Sequence, residues 1–320
     1  MPDPDTALIL HLQRLSTEDG PGIRTTVFFK GCPLHCLWCH NPESISTQPQ
    51  TQWIETRCIG CGTCLETCPN GALSRAQDGR ILIDRGICQG CGDCAAACPT
   101  NAMELLGIHA NLDDLVQELL KDRAYFGTDG GVTASGGEPT LQSEFLTRLF
   151  ARLQAEGIHT ALDTCGVCSL ETLQTILPYT NLVLFDLKLI NGQEHVALTG
   201  QNNKRVLSNL QSVTALLRDQ FPQTGLWIRT PLIPGTTTLD SNLLEIGAFL
   251  KQLDGQVSRW ELCAFNNLCR DKYRRLGLEW QYAETPLMTQ AELDRCLEIA
   301  RSSLFDPDRV LVTGAAKPES

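Results

Sequence analysis

A chain of 320 residues with a formal net charge of −11 is longer than one average domain and lacks the basic face that a broad phosphate footprint needs, which argues against nucleic-acid binding. No stretch approaches the roughly 18 uninterrupted apolar residues of a membrane span, and sixteen cysteines without an apolar signal-peptide core point to a soluble, cytoplasmic protein of an anaerobic setting rather than a secreted disulfide scaffold. Eleven of those cysteines fall into metal-ligand spacings, so two units are expected: a barrel of alternating strands and helices, and a small metal-binding insert.

In chain order, the first element is the apolar run Thr26-Val27-Phe28-Phe29, read as a buried parallel strand. Asp19-Gly20-Pro21-Gly22-Ile23-Arg24 precedes it, and Gly31-Cys32 follows. On the loop after the strand, Cys32, Cys36 and Cys39 form a C-x3-C-x2-C triplet, closed by Trp38-Cys39-His40-Asn41-Pro42. Three thiolates hold only three irons of a cubane [4Fe–4S] cluster, and the fourth is left open to a small chelating molecule that can take one electron. A zinc knuckle is the competing use of such cysteines, but it wants four closed ligands.

Next comes an internal repeat with a period of 30 residues. Cys58, Cys61, Cys64 and Cys68 are followed by Pro69, and Cys88, Cys91, Cys94 and Cys98 by Pro99. Each half reads C-x2-C-x2-C-x3-C-P, the bacterial ferredoxin run, in which the fourth cysteine serves the other half's cluster. One cluster is therefore expected on Cys58, Cys61, Cys64 and Cys98, its twin on Cys88, Cys91, Cys94 and Cys68. Gly60, Gly62, Gly90 and Gly92 are expected to let backbone N–H groups approach the sulfurs. The insert spans 48–108, between barrel segments 1–47 and 109–320. An electron relay is its most economical use; a structural or docking role is the alternative.

Leu112, Leu115, Val116, Leu119 and Leu120 keep a helical spacing that ends near Gly127. Strands are expected at Gly131–Ser135, His159–Asp163, Leu182–Lys188, Leu226–Pro231, Trp260–Phe265 and Arg309–Val312. Helices are expected around Leu141–Glu156, Leu170–Leu177, Asn203–Gln220, Leu239–Leu253 and Thr289–Ser303. Such alternation implies a parallel sheet with its ligand site at the C-terminal strand ends. Ser135-Gly136-Gly137-Glu138-Pro139 sits at one such end, where two glycines expose backbone polar groups and a carboxylate can hold an ammonium. Asp163-Thr164 and Asp186-Leu187-Lys188 end the next two strands. Helix capping by Asp163, a solvated Lys188 and a structural ion pair at Arg229 are the bland readings of those residues. Cys165, Cys168, Cys263, Cys269 and Cys296 remain, read by default as small buried apolar side chains.

The block from Asp19 to Pro42, with the G-G-E-P motif and the ferredoxin repeat, closely resembles the activating enzymes of glycyl radical enzymes, a group that includes the pyruvate formate-lyase activating enzyme. The resemblance covers nearly the whole chain. It implies an α/β fold: a partial (β/α)6 radical S-adenosylmethionine barrel, open on one side, with an inserted bacterial-ferredoxin-like two-[4Fe–4S] domain. It implies three [4Fe–4S] clusters, S-adenosylmethionine and a monovalent cation. Gly136, Gly137 and Glu138 would grip the cofactor's amino group. Asp163, Thr164, Asp186 and Lys188 would gather the cation and contact the cofactor, as would Trp38 and Arg229. Two carboxylates beside an anionic cofactor carboxylate need a cation to be tolerated. Asn266 stands where the resembled enzyme has a histidine; it can still hydrogen-bond ribose or adenine, but a role needing imidazole is in doubt. Lys272 and Tyr273 repeat a family ending read as packing.

The activity implied is reductive cleavage of S-adenosylmethionine to a 5′-deoxyadenosyl radical that takes a hydrogen atom from a backbone glycine of a partner glycyl radical enzyme. A flavodoxin or ferredoxin-type donor would supply the electron, and a transiently docking monomer is expected. The alternatives are a radical enzyme acting on a small molecule or making another peptide modification, and a plain electron carrier. The last leaves the triplet and the barrel without a use.

Overall fold

The computed structural model describes residues 3–253 and 255–317. Among the described residues thirteen strands form: β1 Thr6–Ser16, β2 Arg24–Phe29, β3 Gln50–Trp53, β4 Leu73–Arg75, β5 Ile81–Ile83, β6 Met103–Leu106, β7 Ile108–Asn111, β8 Gly131–Gly136, β9 His159–Thr164, β10 Leu182–Asp186, β11 Gly225–Leu232, β12 Arg259–Ala264 and β13 Val310–Thr313. Nine of them make one sheet in the order β13-β12-β11-β10-β9-β8-β2-β1-β7. From β2 to β13 all neighbours run parallel. That is the expected open barrel of six strand–helix units, with β13 added at its far edge.

The strand expectations hold to within a residue or two at each end. Two edge strands were not foreseen, β1 and β7, which pair antiparallel beside β2. Their burial alternates weakly and four of the eleven residues of β1 are exposed, so their apolar pattern carries little signal. β2, by contrast, is buried at all six positions, as a strand covered on both faces must be.

Helices cover the outer face through short apolar stripes. The helix Ser143–Ala155 buries Phe145, Leu146, Leu149, Phe150 and Leu153, one face at helical spacing. Local caps start several helices where the sequence places them. Asn111 accepts from Asp113 N and Asp114 N, Ser169 from Thr172 N, and Thr289 with Glu292 forms a reciprocal capping box. Ser169, not Asp163, therefore caps the helix Leu170–Ile176.

The chain leaves the barrel along β3 and returns along β6, which pair antiparallel from Gln50↔Leu106 to Trp53↔Met103. This neck carries the repeat. Two short helices, Thr63–Thr67 and Asp93–Ala96, each start after a glycine in the left-handed region, Gly62 at φ 83° and Gly92 at φ 88°. A side chain with a Cβ would be strained there.

Arg24 explains the Asp19–Arg24 block. It is fully buried at the N-terminal ends of β2, β8 and β9, with Nε donating to Thr133 Oγ1 at 2.6 Å and Nη2 to Val132 O at 2.9 Å. Gly130 faces the same turn, where an added Cβ would stand 2.1 Å from Ile23 O.

Nη2 of Arg24 also lies 3.3 Å from His159 Nδ1. Burial, reinforced by this cation, lowers the His159 pKa to about 4. The ring is thus neutral when folded, and its contribution is complete above its unfolded value of about 6.5. It is lost as pH falls from there towards 4, because the unfolded chain takes up the proton first. With partial exposure discounted, unfolding at pH 5.5 should be easier by about 1 kcal/mol than at pH 7.5 through this group. His159→Gln should remove that share of the pH dependence; an identical midpoint drop in variant and parent would reject the assignment.

Candidate active site at the C-terminal strand ends

The cysteine triplet sits on the loop that leaves β2, and the rest of the chain clamps that loop by its backbone. Gly31 N donates to Ser44 O at 2.7 Å, Cys32 N to Ile45 O at 3.0 Å, and His35 N to Thr199 O at 2.8 Å. Side chains from beyond β12 do the same. Tyr273 Oη donates to Cys39 O at 2.9 Å, Trp280 Nε1 to Leu37 O at 3.0 Å, and Lys272 Nζ to His40 O at 3.1 Å. Lys272 and Tyr273 are thus positioning residues for the loop, not mere packing. No local pattern reveals this, since the partners are over 230 positions apart.

The thiols are poorly solvated. Burial pushes Cys36 up to about 11 and Cys39 higher still, whereas a contact from the Cys165 thiol draws Cys32 down. Three thiols in a dry site become thiolates together only when a metal's positive charge compensates them. The Nε2 of His40, next to Cys39, is buried and unpartnered. The donor set therefore fits an iron–sulfur cluster. Among the described residues no three Cys, His, Asp or Glu side chains converge as on a single ion; a cubane bridges thiolates that stand wider apart. Trp38 is 5% exposed within the main apolar core. Its ring anchors the loop to that core.

The glycine turn after β8 lies against this loop. Gly137 N donates to Phe29 O at 2.9 Å and Glu138 N to Gly31 O at 2.7 Å. A Cβ at Gly136 would stand 2.6 Å from Phe29 N, and one at Gly137 would stand 2.2 Å from Gly31 O. Only glycine permits that approach.

Glu138 departs from expectation. It is fully buried, with Oε1 accepting from Thr140 N, Thr140 Oγ1 and Thr164 Oγ1, and Oε2 accepting from Cys165 N at 2.7 Å. A carboxylate so engaged braces the ends of β8 and β9. The part-exposed backbone of Gly136 and Gly137 is left as the polar surface of the turn. Thr164, 2% exposed, belongs to the same brace.

Inside the barrel, charges meet at the strand ends. Asp163 Oδ2 accepts from Ser135 Oγ at 2.6 Å and pairs with Arg229 Nη1 at 3.5 Å; Arg229 Nε faces Glu261 Oε2 at 3.6 Å. Burial, against the pull of Arg229, raises Asp163 to about 7. Lys188, buried, pairs with Asp186, so it is not a solvated lysine. Arg229 makes the ion pair that was its bland reading and also faces the lumen. Asn266 is part-exposed on the loop after β12, its Oδ1 accepting from Leu268 N at 3.2 Å.

Sequence reasoning missed Ser135, Arg259 and Glu261. Arg259, Glu261 and Cys263 alternate along β12, and polar residues at period two in a barrel strand are the signal that points inward. The default for the spare cysteines also needs revision. Cys165 contacts Cys32, Cys263 lies beside Arg229 and Glu261, and Cys269 Sγ is 3.8 Å from Cys39 O. Cys165, Cys168, Cys269 and Cys296 are nonetheless buried as read, and Cys168 contacts Thr140.

In the insert, Cys58, Cys61, Cys64 and Cys98 line one small cavity together. Cys94 has Cys88, Cys68 and Cys91 as its charged neighbours. Sulfur-directed N–H groups come from Ala72 to Cys68 at 3.3 Å and from Ala102 and Met103 to Cys98 at 3.2 and 3.4 Å. Thr63, directly after Gly62, also turns its backbone N–H to Cys61, so the described donors lie both beside a glycine of the repeat and past each Cys-Pro end.

Comparison with known proteins agrees with this geometry. The family model for the Radical SAM superfamily matches residues 87–245, that for the 4Fe-4S dicluster domain residues 57–102, and that for the 4Fe-4S single cluster domain residues 18–75. The isethionate sulfite-lyase activating enzyme of Nitratidesulfovibrio vulgaris is 38% identical over 94% of this chain and 97% of its own. The trans-4-hydroxy-L-proline dehydratase activating enzyme of Clostridioides difficile is 37% identical over 93% of this chain and 97% of its own. In fold alone, the chain resembles Streptococcus suis SuiB bound to precursor peptide SuiA, with TM-score 0.52 and 12% identity over 88% of this chain and 46% of that one.

Proposed function

Because the chain belongs to the radical S-adenosylmethionine activating enzymes of glycyl radical enzymes, we propose a specific division of labour among its residues. Iron–sulfur clusters and S-adenosylmethionine are its cofactors and a glycyl radical enzyme is its protein substrate. When bound, they supply one-electron cleavage of the sulfonium and a 5′-deoxyadenosyl radical that takes a hydrogen atom from the partner's glycine.

We assign the radical-site cluster to Cys32, Cys36 and Cys39. Two further clusters go to Cys58, Cys61, Cys64 with Cys98, and to Cys88, Cys91, Cys94 with Cys68, for a total of three. The grouping of those cysteines supports this assignment. The barrel comprises 1–47 and 109–320, and the insert 48–108. The backbone of Gly136 and Gly137 orients the cofactor's amino group, and Glu138 with Thr164 holds that turn in place. Asp163 and Asp186 face the cofactor's carboxylate and take a monovalent cation between them, which relieves the burial that raises Asp163. Lys188 and Arg229 balance those carboxylates, and Asn266 hydrogen-bonds the nucleoside. The open edge of the sheet admits a peptide, and the apolar wall excludes water around it. A flavodoxin or ferredoxin-type donor and a monomeric chain complete the reading.

The observation that carries it is the clamped triplet packed directly against the glycine turn. Curated relatives act on several different enzymes at similar identity, 37% for both the trans-4-hydroxy-L-proline dehydratase and the benzylsuccinate synthase activating enzymes, so the partner is proposed as a class. The test is anaerobic electron paramagnetic resonance of the reduced, reconstituted protein with S-adenosylmethionine and a panel of glycyl radical enzymes, with 5′-deoxyadenosine assayed in the same tubes. A glycyl doublet with one panel member identifies the partner. Deoxyadenosine formed at full rate with no protein present, and no doublet with any member, would move the reading to a small-molecule substrate.

A further inference from the structure

Arg85 belongs to the insert and lies on its side towards the radical site. Its Nη1 donates to Thr51 O at 2.8 Å on β3, and its Nε to Leu276 O at 3.1 Å at the end of the helix Arg270–Leu276. Among the described residues both of its hydrogen bonds go to carbonyls, so no carboxylate neutralises the guanidinium by direct bonding. The same Thr51 turns its hydroxyl towards two thiols, 3.9 Å from Cys88 Sγ and 3.9 Å from Cys94 Sγ. Gly90, between them in sequence, is pressed on the neck: an added Cβ would stand 2.2 Å from Pro49 O. On its other side Arg85 lines a cavity of about 510 Å³ whose walls include Cys32, His35 and Gln50. The second cysteine group faces elsewhere, in a cavity shared with Trp53, Ile59 and Arg75.

We propose that Arg85 makes the Cys68, Cys88, Cys91 and Cys94 group the inner of the two and biases it towards holding the electron destined for the triplet at Cys32. The inference rests on the reading that both insert groups carry [4Fe–4S] clusters. A fixed cation beside cluster thiolates favours the reduced state, which carries one more negative charge. The electron comes from a low-potential one-electron carrier, which is oxidised by one. It passes from the outer group to the inner and on to the triplet, with no bond made or broken and no proton moved. Each donor group returns to its oxidised state.

The test is a redox-poised electron paramagnetic resonance titration of the reconstituted full chain. Cys88→Ala identifies the inner signal by its loss, and Cys61→Ala the outer. Arg85→Gln is expected to lower the inner midpoint by about 59 mV, a tenfold shift in occupancy for a one-electron couple, and to leave the outer midpoint in place. Arg85→Lys, which keeps the cation, should restore most of the shift. An unmoved inner midpoint in Arg85→Gln, or a shift in the outer signal instead, overturns the proposal. So does loss of the inner signal in both Arg85 variants, which would make the residue a scaffold only. A wild-type protein that shows only one insert signal would instead overturn the two-cluster reading beneath it.

Discussion

Replacing Cys36 with alanine is expected to abolish S-adenosylmethionine cleavage and leave both insert clusters assembled. On the proposed assignment the triplet supplies all three protein anchors of the radical-site cluster, and removal of one leaves two thiolates that close no cubane. No spare ligand can step in without cost. Cys165 is the neighbour, but it is buried, and its backbone N–H is held by Glu138 Oε2 at 2.7 Å, which ties it to the end of β9. The insert is insulated from the change, because its cysteines lie in a separate fold with their own N–H donors, such as Ala72 to Cys68. Iron content, the electron paramagnetic resonance spectrum and deoxyadenosine formation, measured on one anaerobic preparation, test this together. Cleavage at the parent rate would sink the triplet assignment, and loss of all iron would sink the independence of the insert.

The second large effect concerns stability. Arg24→Met should destabilise the fold by about 3–5 kcal/mol, the cost of breaking a buried, multiply bonded charged group. Arg24 is fully buried and serves Thr133 Oγ1, Val132 O, Pro21 O and Asp129 O. Methionine fills much of the volume and pairs none of them. Burial lowers the guanidinium to about 10, so it is still charged at neutral pH. Arg24→Lys is not conservative, since one ammonium cannot reach the same fork of acceptors. Denaturant midpoints at pH 7.5 measure the loss, and a variant within about 0.5 kcal/mol of the parent would reject the argument. Because Arg24 lies at the N-terminal ends of the strands, the folded fraction should keep its cofactor cleavage. In barrels of this kind chemistry belongs to the opposite rim.

The two cases divide the molecule as its information divides. Cys36 was legible from spacing alone, because a cluster loop needs its ligands within a few residues of one another. So were the ferredoxin repeat and most parallel strands, whose apolar runs and glycine breaks are local signals. Arg24 was legible as part of a family block, but its work was not: apart from Pro21 O, the acceptors named above lie more than 100 positions away on β8 and its turn.

The same reason explains the revisions at the site. Glu138 reads as a free carboxylate in G-G-E-P until β9 brings Thr164 and Cys165 beside it. Lys272 and Tyr273 read as packing until the chain returns, with Trp280, to clamp the cysteine loop. The charges of β12 went unread, because only the sheet brings Glu261 to Arg229 and Arg259. The sequence by itself determined which cysteines stand at metal-ligand spacings, which segments become strands and helices, and which family the chain resembles, since each rests on short-range spacing or periodicity. Only the tertiary structure decided which polar groups meet at the strand ends and which brace the turns around them. Those pairings depend on strand order and register, which bring together residues that no local pattern links.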